Sequence, residues 1–371
     1  MNPTFFFVAG EASGDLHGAK LIQALKRMCP DARFLGYGGD RMAQEGMEIK
    51  EHVNSLAIMG FAEVIKHLPY FRRLLHDTLT ILEESRPDRV ILIDYPGFNL
   101  RLAKRIHPLR IPCTYFILPQ VWAWKEKRVG LLQDYVDQAL CIFPFEERWF
   151  RERGVAATFV GHPFTEHEPP IMDRGAFYQR HRWQLTKPLL SLFPGSRQQE
   201  VDQHWPIFLK AVTLLQNSQN DLQVVIGKAP HVTLNPVPRA IQVEQDAPRL
   251  ALQHATAALV ASGTATLEAA VFDTPLVVCY RLNALSWSLV KRMAKVPFAS
   301  MVNLIAERQV VPEYLQRNMT PERLANTIEP LLRDSPERRT MLAAFKKVRN
   351  ALGQPGVYQR AAEAILKQSD L

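Results

Sequence analysis

Twice along its 371 residues the chain passes through short apolar stretches that alternate with segments of helical period, a pattern that restricts it to a parallel α/β architecture. In the first series the windows 5–9, 33–37, 89–94, 113–118, 138–143 and 158–160 read as strands, with helices near 14–28, 70–85, 99–106 and 145–153. A polar, proline-bearing break follows at Glu166-His167-Glu168-Pro169-Pro170. The second series reads as strands at 189–193, 223–226, 257–261 and 276–280, with helices near 201–216, 264–272, 284–294 and 321–333. Parallel strands need crossover connections, so each helix has to lie across a face of its sheet. The length exceeds what one hydrophobic core usually serves, so two domains are expected, 1–168 and 169–345. A terminal segment, 346–371, carries a helix near 356–367 with room to pack back across the first domain. Residues 228–245 hold Pro230, Pro236 and Pro238, which leaves no space for a long uninterrupted helix.

With 47% hydrophobic and 22% charged residues the chain is globular, neither disordered nor fibrous. Cys29, Cys113, Cys141 and Cys279 form no CxxC pair and three of them fall in apolar strands, which fits a reducing cytoplasm. Met1-Asn2-Pro3 and the apolar run behind it lack a basic leader and read as a first buried strand. No window reaches the roughly eighteen apolar residues that a membrane span requires. A net charge of +8 favours an anionic partner: nucleic acid, an acidic lipid surface or a phosphorylated substrate. Where the charge sits has to decide among them.

Two segments of the second series decide for phosphate. Leu192-Phe193-Pro194-Gly195-Ser196-Arg197 and Ala261-Ser262-Gly263-Thr264-Ala265-Thr266-Leu267-Glu268 each leave an apolar strand, turn through small residues and enter a helix. Each can aim backbone N–H groups and a helix N-terminus at an anion. Alone, either is equally a tight turn with a capping Ser or Thr; together, at the ends of neighbouring strands, they favour a site. Glu268 lies about one turn beyond Thr264 on the same face, where a carboxylate can accept hydrogen bonds from paired ribose hydroxyls. The combination suggests a nucleoside diphosphate.

The first series has chemistry of its own. After its first strand, Gly10-Glu11-Ala12-Ser13-Gly14-Asp15 spaces its glycines by four rather than as GxGxxG, so no nicotinamide cofactor is indicated. Asp94 ends a strand at the carboxyl edge, where a partly desolvated carboxylate can take a proton from an attacking hydroxyl. Capping the helix entered at Pro96 is the equal alternative. Trp122 and Trp124 stand beside Lys125, Lys127 and Arg128, a set suited to sugar stacking and phosphate pairing unless both indoles are packing residues. Within 60–85, Leu68, Phe71, Leu74 and Leu75 are interleaved with Lys66, Arg72 and Arg73, the pattern of a membrane-interface helix or of an amphipathic helix covering the sheet. Gly161-His162-Pro163 reads as a hinge turn that could also line a cleft. Neither HExxH nor a DxD carboxylate pair occurs, so no catalytic metal is expected.

In order along the chain, AGEASGD at 9–15, IDYPGFN at 93–99, PQVWAWKEKRV at 119–129, FPFEE at 143–147, GHP at 161–163, PGSR at 194–197 and SGTATLE at 262–268 resemble the lipid-A-disaccharide synthase family. The resemblance implies a GT-B fold: two Rossmann-like domains with parallel sheets facing across a cleft, the sugar nucleotide held mainly by the second. It implies an inverting glycosyltransferase that joins UDP-2,3-diacylglucosamine to 2,3-diacylglucosamine 1-phosphate (lipid X), releasing UDP and forming a β-1,6-linked disaccharide. It further implies a peripheral position on the anionic cytoplasmic face of the inner membrane of Gram-negative bacteria, with no cofactor and no nucleic-acid partner. Carried onto this chain, Gly195, Ser196, Arg197, Ser262, Gly263 and Thr264 hold the diphosphate, Glu268 the ribose, and Asn303 makes a further nucleotide contact. Asp94 is the base for the acceptor 6-hydroxyl, while Arg197 and two helix ends stabilise departing UDP. Gly10, Glu11, Ser13, Gly14, Asp15, Gln120, Trp122, Trp124, Lys125 and Arg128 face the acceptor, whose phosphate meets Lys125, Lys127 or Arg128. Leu68, Phe71, Leu74 and Leu75 meet acyl chains or the bilayer. The 228–245 stretch is shorter than the family's usual connection, so no nucleobase contact is assigned there. Two alternatives stand beside this reading: another GT-B enzyme acting on a UDP-amino sugar, such as a peptidoglycan N-acetylglucosaminyltransferase or a 2-epimerase, and a basic lipid- or nucleic-acid-binding protein.

Overall fold

The structure, a computed structural model, describes residues 2–56, 68–166, 172–283 and 295–368, together with 287, 288, 290 and 292. The chain divides into two compact units, Met1–Glu166 with Leu352–Leu371, and His167–Ala351.

In the first unit β1 (Thr4–Ala9), β2 (Arg33–Gly38), β3 (Glu48–His52), β4 (Arg89–Ile93), β5 (Cys113–Phe116), β6 (Gln138–Cys141) and β7 (Ala157–Phe159) form one sheet. Their order is β3-β2-β1-β4-β5-β6-β7 and every pairing is parallel. Phe5 to Ala9 and Val90 to Ile93 are wholly buried, as expected of central strands covered on both faces. The chain winds from β1 to one side and then, through β4, to the other, so the strand order reverses between these two. In sheets of this kind ligands bind at the carboxyl ends of the strands at such a reversal.

The last helix, Val357–Gln368, belongs to this first unit. It buries Val357, Tyr358, Ala361, Ala362, Ile365 and Leu366, one face repeating every three to four residues. Tyr358 Oη lies 2.8 Å from His17 Nδ1, and Gln138 donates to the carbonyl of Ala364 at 2.8 Å. Glu166 accepts from the N–H groups of Gly356 and Val357 at 3.0 and 2.6 Å, satisfying donors at the helix start. The Gly161-His162-Pro163 turn packs here too: an added Cβ on Gly161 would fall 2.6 Å from Arg360, and the N–H of His162 donates to Leu352.

The second unit repeats the winding with β8 (Leu189–Phe193), β9 (Gln223–Gly227), β10 (Ile241–Glu244), β11 (Ala257–Ala261), β12 (Leu276–Tyr280) and β13 (Glu313–Leu315), ordered β10-β9-β8-β11-β12-β13 and parallel throughout. Helices Gln198–Ser218, Pro248–Gln253 and Thr264–Val271 make its crossovers. Here the reversal falls between β8 and β11.

The helix Leu68–Ser85 corrects one expectation. Phe71 and Leu74 are buried, Phe71 with its ring 6.4 Å from that of Phe98, so they belong to the core beneath the helix and not to a lipid-facing surface. Arg72 and Arg73 are exposed on the other side, and Leu75 is half-buried. The periodicity is that of a helix covering a sheet. The side chain of Leu68 and the window 57–67 lie outside the described residues, as does most of the expected helix at 284–294. Among the described residues no helix is long and apolar enough to cross a membrane.

Candidate active site

In the second unit Leu192 and Phe193 of β8 stand opposite Leu259 and Val260 of β11. Both strands run the same way, so the turns that follow them emerge side by side where the strand order reverses. They border a cavity of about 520 Å³ whose lining includes Gly195, Ser196, Arg197, Ser262, Gly263 and Thr264. Phe193, Ala229, Pro230, Pro248 and Ala261 supply apolar wall, and Glu200 a carboxylate. Gly195 has φ +133, and a Cβ there would lie 2.8 Å from Glu200, so this turn requires glycine. The helices Gln198–Ser218 and Thr264–Val271 both begin without a side-chain cap. Capping is therefore not what these turns do, and the first-turn N–H groups remain at the positive end of each helix dipole, suited to an anion. Arg197 is 69% exposed, with Nη1 3.4 Å from Glu200.

Three further residues organise this site without having been singled out in the sequence. Arg281 N–H donates to Nε2 of buried His204 at 2.8 Å, so Nδ1 carries the proton and donates to the Pro194 carbonyl at 2.6 Å. Burial holds the His204 pKa below its usual value, favouring this neutral clamp between the Pro194-Gly195 turn and the end of β12. Tyr280 Oη approaches Glu200 Oε1 at 3.4 Å. A histidine four residues after a glutamate on a helix carries no local signature of this arrangement.

Asn303 has a different task from the one expected. It is fully buried; its amide donates to the Val311 carbonyl and to Glu313, and its oxygen accepts from the N–H groups of Val310 and Val311. Glu313 also accepts from Ala299 and Ser300, and Ala299 in turn accepts from the Ser262 hydroxyl at 2.6 Å. Asn303 thus braces the segment behind Ser262 instead of touching a ligand. Glu268 is not among the residues that line the cavity; it is ion-paired to Arg249, and burial raises its pKa against the pull of that cation.

In the first unit Ala9 of β1 pairs with Ile93 of β4, which brings the Gly10-Glu11 and Asp94-Tyr95 turns together at the other strand-order reversal. Asp94 and Tyr95 both adopt left-handed conformations, φ 44 and 49, a strain that tends to collect at functional sites. The turn is held from behind: Tyr115 Oη and Asn99 Nδ2 donate to the Asp94 carbonyl at 2.5 and 2.8 Å. The Tyr95 ring packs on Gly10, where an added Cβ would meet it at 2.3 Å. The helix Pro96–Ile106 has no side-chain cap, so Asp94 is not its capping residue. Burial first, and the nearby charge of Glu11 second, push the Asp94 pKa up to about 6.

The remaining acceptor-side expectations divide. Glu11, Ser13, Gln120, Trp124 and Lys125 are exposed, Trp124 at 49%, and Arg128 is half-buried. Arg128, one short helical turn after Lys125, is the main cause that lowers the Lys125 pKa, the mark of two cations close together. Trp122 is a packing residue: it is buried, and Nε1 donates at 2.9 Å to Glu146, whose pKa burial pushes up to about 7. Asp15 is buried as well and accepts from the N–H groups of Gly39, Arg41 and Met42, fixing the start of the helix Asp40–Gln44. Gly14 packs against Ala9. Trp122 and Asp15 therefore support the site from behind.

Two parallel sheets, each wound outward from its first strand and with strand-to-helix turns at the point of reversal, define the GT-B class of fold. Solved structures agree at the level of fold: the calicheamicin glycosyltransferase CalG4 (TM-score 0.61, 19% identity, 99% of both chains covered) and the UDP-GlcNAc 2-epimerase from Neisseria meningitidis bound to UDP-GlcNAc (TM-score 0.64, 10% identity, 99% of this chain and all of that one). The lipid-A-disaccharide synthetase family matches residues 5–367, and the lipid-A-disaccharide synthase of Myxococcus xanthus is 39% identical over 373 residues, covering 98% of this chain and 97% of the relative. The chain belongs to the lipid-A-disaccharide synthase family, and its activity is the glycosyl transfer of lipid A biosynthesis.

Proposed function

We propose that the second unit holds UDP-2,3-diacylglucosamine by its diphosphate and the first presents 2,3-diacylglucosamine 1-phosphate, with Asp94 as base. The single observation that carries the donor half is the convergence of two uncapped helix starts and the Arg197 guanidinium on one cavity. The acceptor 6-hydroxyl attacks the anomeric carbon from the face opposite UDP. As the new C–O bond forms, the proton passes to Asp94 and the bond to the diphosphate breaks, inverting the centre. Negative charge grows on the departing UDP, where Arg197 and the first-turn N–H groups stabilise it without reorganising. A carboxyl with a pKa of about 6 is ionised at neutral pH yet basic enough to accept that proton.

On the acceptor side, exposed Trp124 suits a sugar face and the Lys125 and Arg128 cations suit the acceptor phosphate. Acylated substrates reside in a bilayer, so the enzyme works as a peripheral protein at a membrane surface, attracted there by its net charge of +8. Phe71 and Leu74 take no part in that contact. The reading is tested by incubating the protein with both substrates and detecting the disaccharide by mass. Product that requires the phosphorylated monosaccharide supports it, whereas UDP release without an acceptor points to the epimerase class and overturns it.

A further inference from the structure

An ion pair whose chain neighbours line the donor cavity has no part in the transfer step. Arg249 Nε lies 2.7 Å from Glu268 Oε1. Arg249 follows Pro248, which lines the cavity, and Glu268 follows Thr264 and Ala265, also lining residues, by one helical turn. The guanidinium additionally lies over the Phe272 ring, 5.1 Å from its centre. Arg249 is therefore fixed along the helix Thr264–Val271 between positions 268 and 272, one residue from the cavity wall.

The electrostatics give this placement a consequence. The Glu268 side chain is only 18% exposed, and burial favours its neutral form. Arg249 is the cation that opposes this, first of all through its charge. An ionised carboxylate offers about four lone-pair sites, so it can hold one guanidinium contact and still accept from two hydroxyls. Once protonated it becomes a donor at one oxygen and keeps fewer sites at which to accept. Arginine suits the holding role because it stays charged and presents a planar donor fork.

We propose that Arg249 is a positioning residue that determines specificity: it holds Glu268 ionised and oriented so that the carboxylate reads the vicinal hydroxyls of the ribose of the nucleotide. The proposal rests on the donor reading above and deepens it, by assigning to a residue outside the two turns the distinction between ribo- and deoxyribonucleotides. A pair that merely stapled two helices would alter thermal stability and weaken all nucleotides alike. A pair that reads hydroxyls alters one ratio.

That ratio is the dissociation constant of 2′-deoxy-UDP over that of UDP, measured by titration calorimetry on the full-length protein and on R249M, R249K and E268Q. One hydrogen bond to a charged group sets the expected preference of the native enzyme for UDP at about ten- to a hundredfold. E268Q and R249M should both bring the ratio to within about twofold of unity, and R249K should restore part of it. R249Q carries the same expectation as R249M should the latter fail to fold. If E268Q loses the preference while R249M keeps it, the role of Arg249 is overturned and the donor reading stands. If E268Q keeps the preference, the assignment of Glu268 to the ribose falls, and Arg249 with it. Failure of the native protein to bind UDP at all would overturn the donor reading itself.

Discussion

Replacing Asp94 by asparagine separates what its carboxylate does for turnover from what it costs the fold. Its pKa of about 6, against an ordinary 3.8, means that the native state binds the Asp94 proton more tightly than the unfolded chain does. Such a group favours the native state fully below the unfolded pKa, and that contribution is lost as pH rises through the native one. Two pK units at about 1.4 kcal/mol each put the cost of the ionised form near ~3 kcal/mol at pH 8, falling to ~1 kcal/mol at pH 4.5. Asparagine has nearly the same shape, carries no charge and tolerates the left-handed backbone found here. D94N should therefore unfold at higher urea concentration than the native protein at pH 8, by up to that ~3 kcal/mol, with most of the gap gone at pH 4.5. The same variant should lose about two to four orders of magnitude in kcat/KM. In the native enzyme kcat/KM should fall about tenfold per pH unit below about 6. A stability gap absent at pH 8, or equal at both pH values, refutes the burial argument, and an active D94N refutes the base.

Gly10→Ala should force the Tyr95 ring away, since its Cβ would meet the ring at 2.3 Å, and so displace Asp94. Turnover should drop at least about tenfold with UDP affinity unchanged in a calorimetric titration; a normal rate would show that the turn yields cheaply. Arg197→Ala should weaken UDP binding by about ten- to a hundredfold and slow transfer as well, checked by titration and steady-state kinetics. His204→Ala leaves the Pro194 carbonyl and the Arg281 N–H without their shared partner and should cost about 1–3 kcal/mol in thermal or urea unfolding, along with weaker UDP binding. His204→Asn should recover part of either loss if the clamp acts through hydrogen bonds.

Much of this molecule could be read from the chain because its central strands are buried on both faces. β1, β4, β8, β11 and β12 appear as nearly continuous apolar runs for that reason. The edge strands β3, β10 and β13, with sequences EIKEH, IQVE and EYL, gave no such signal, since an edge takes its register from its neighbour's backbone and keeps polar side chains. The cavity-lining turns were legible because strand, turn and helix are contiguous in the chain. Asp15, Trp122 and Asn303 were misassigned because their partners are set by tertiary packing: Gly39 and Glu146 are each 24 residues away, and the amide of Asn303 closes on a loop of irregular backbone. Phe71 and Leu74 illustrate a different limit. A helical apolar stripe has the same period whether it meets a sheet or a bilayer, and only the fold decides.

The return of Val357–Gln368 to the first unit makes the second unit an insertion within the first. During synthesis every strand of the inserted unit has been made while the host still lacks the helix that covers part of its sheet. Closure of the host therefore waits until 357–368 has been made, and a chain stopped after Ala351 should yield an intact second unit joined to an unfinished first.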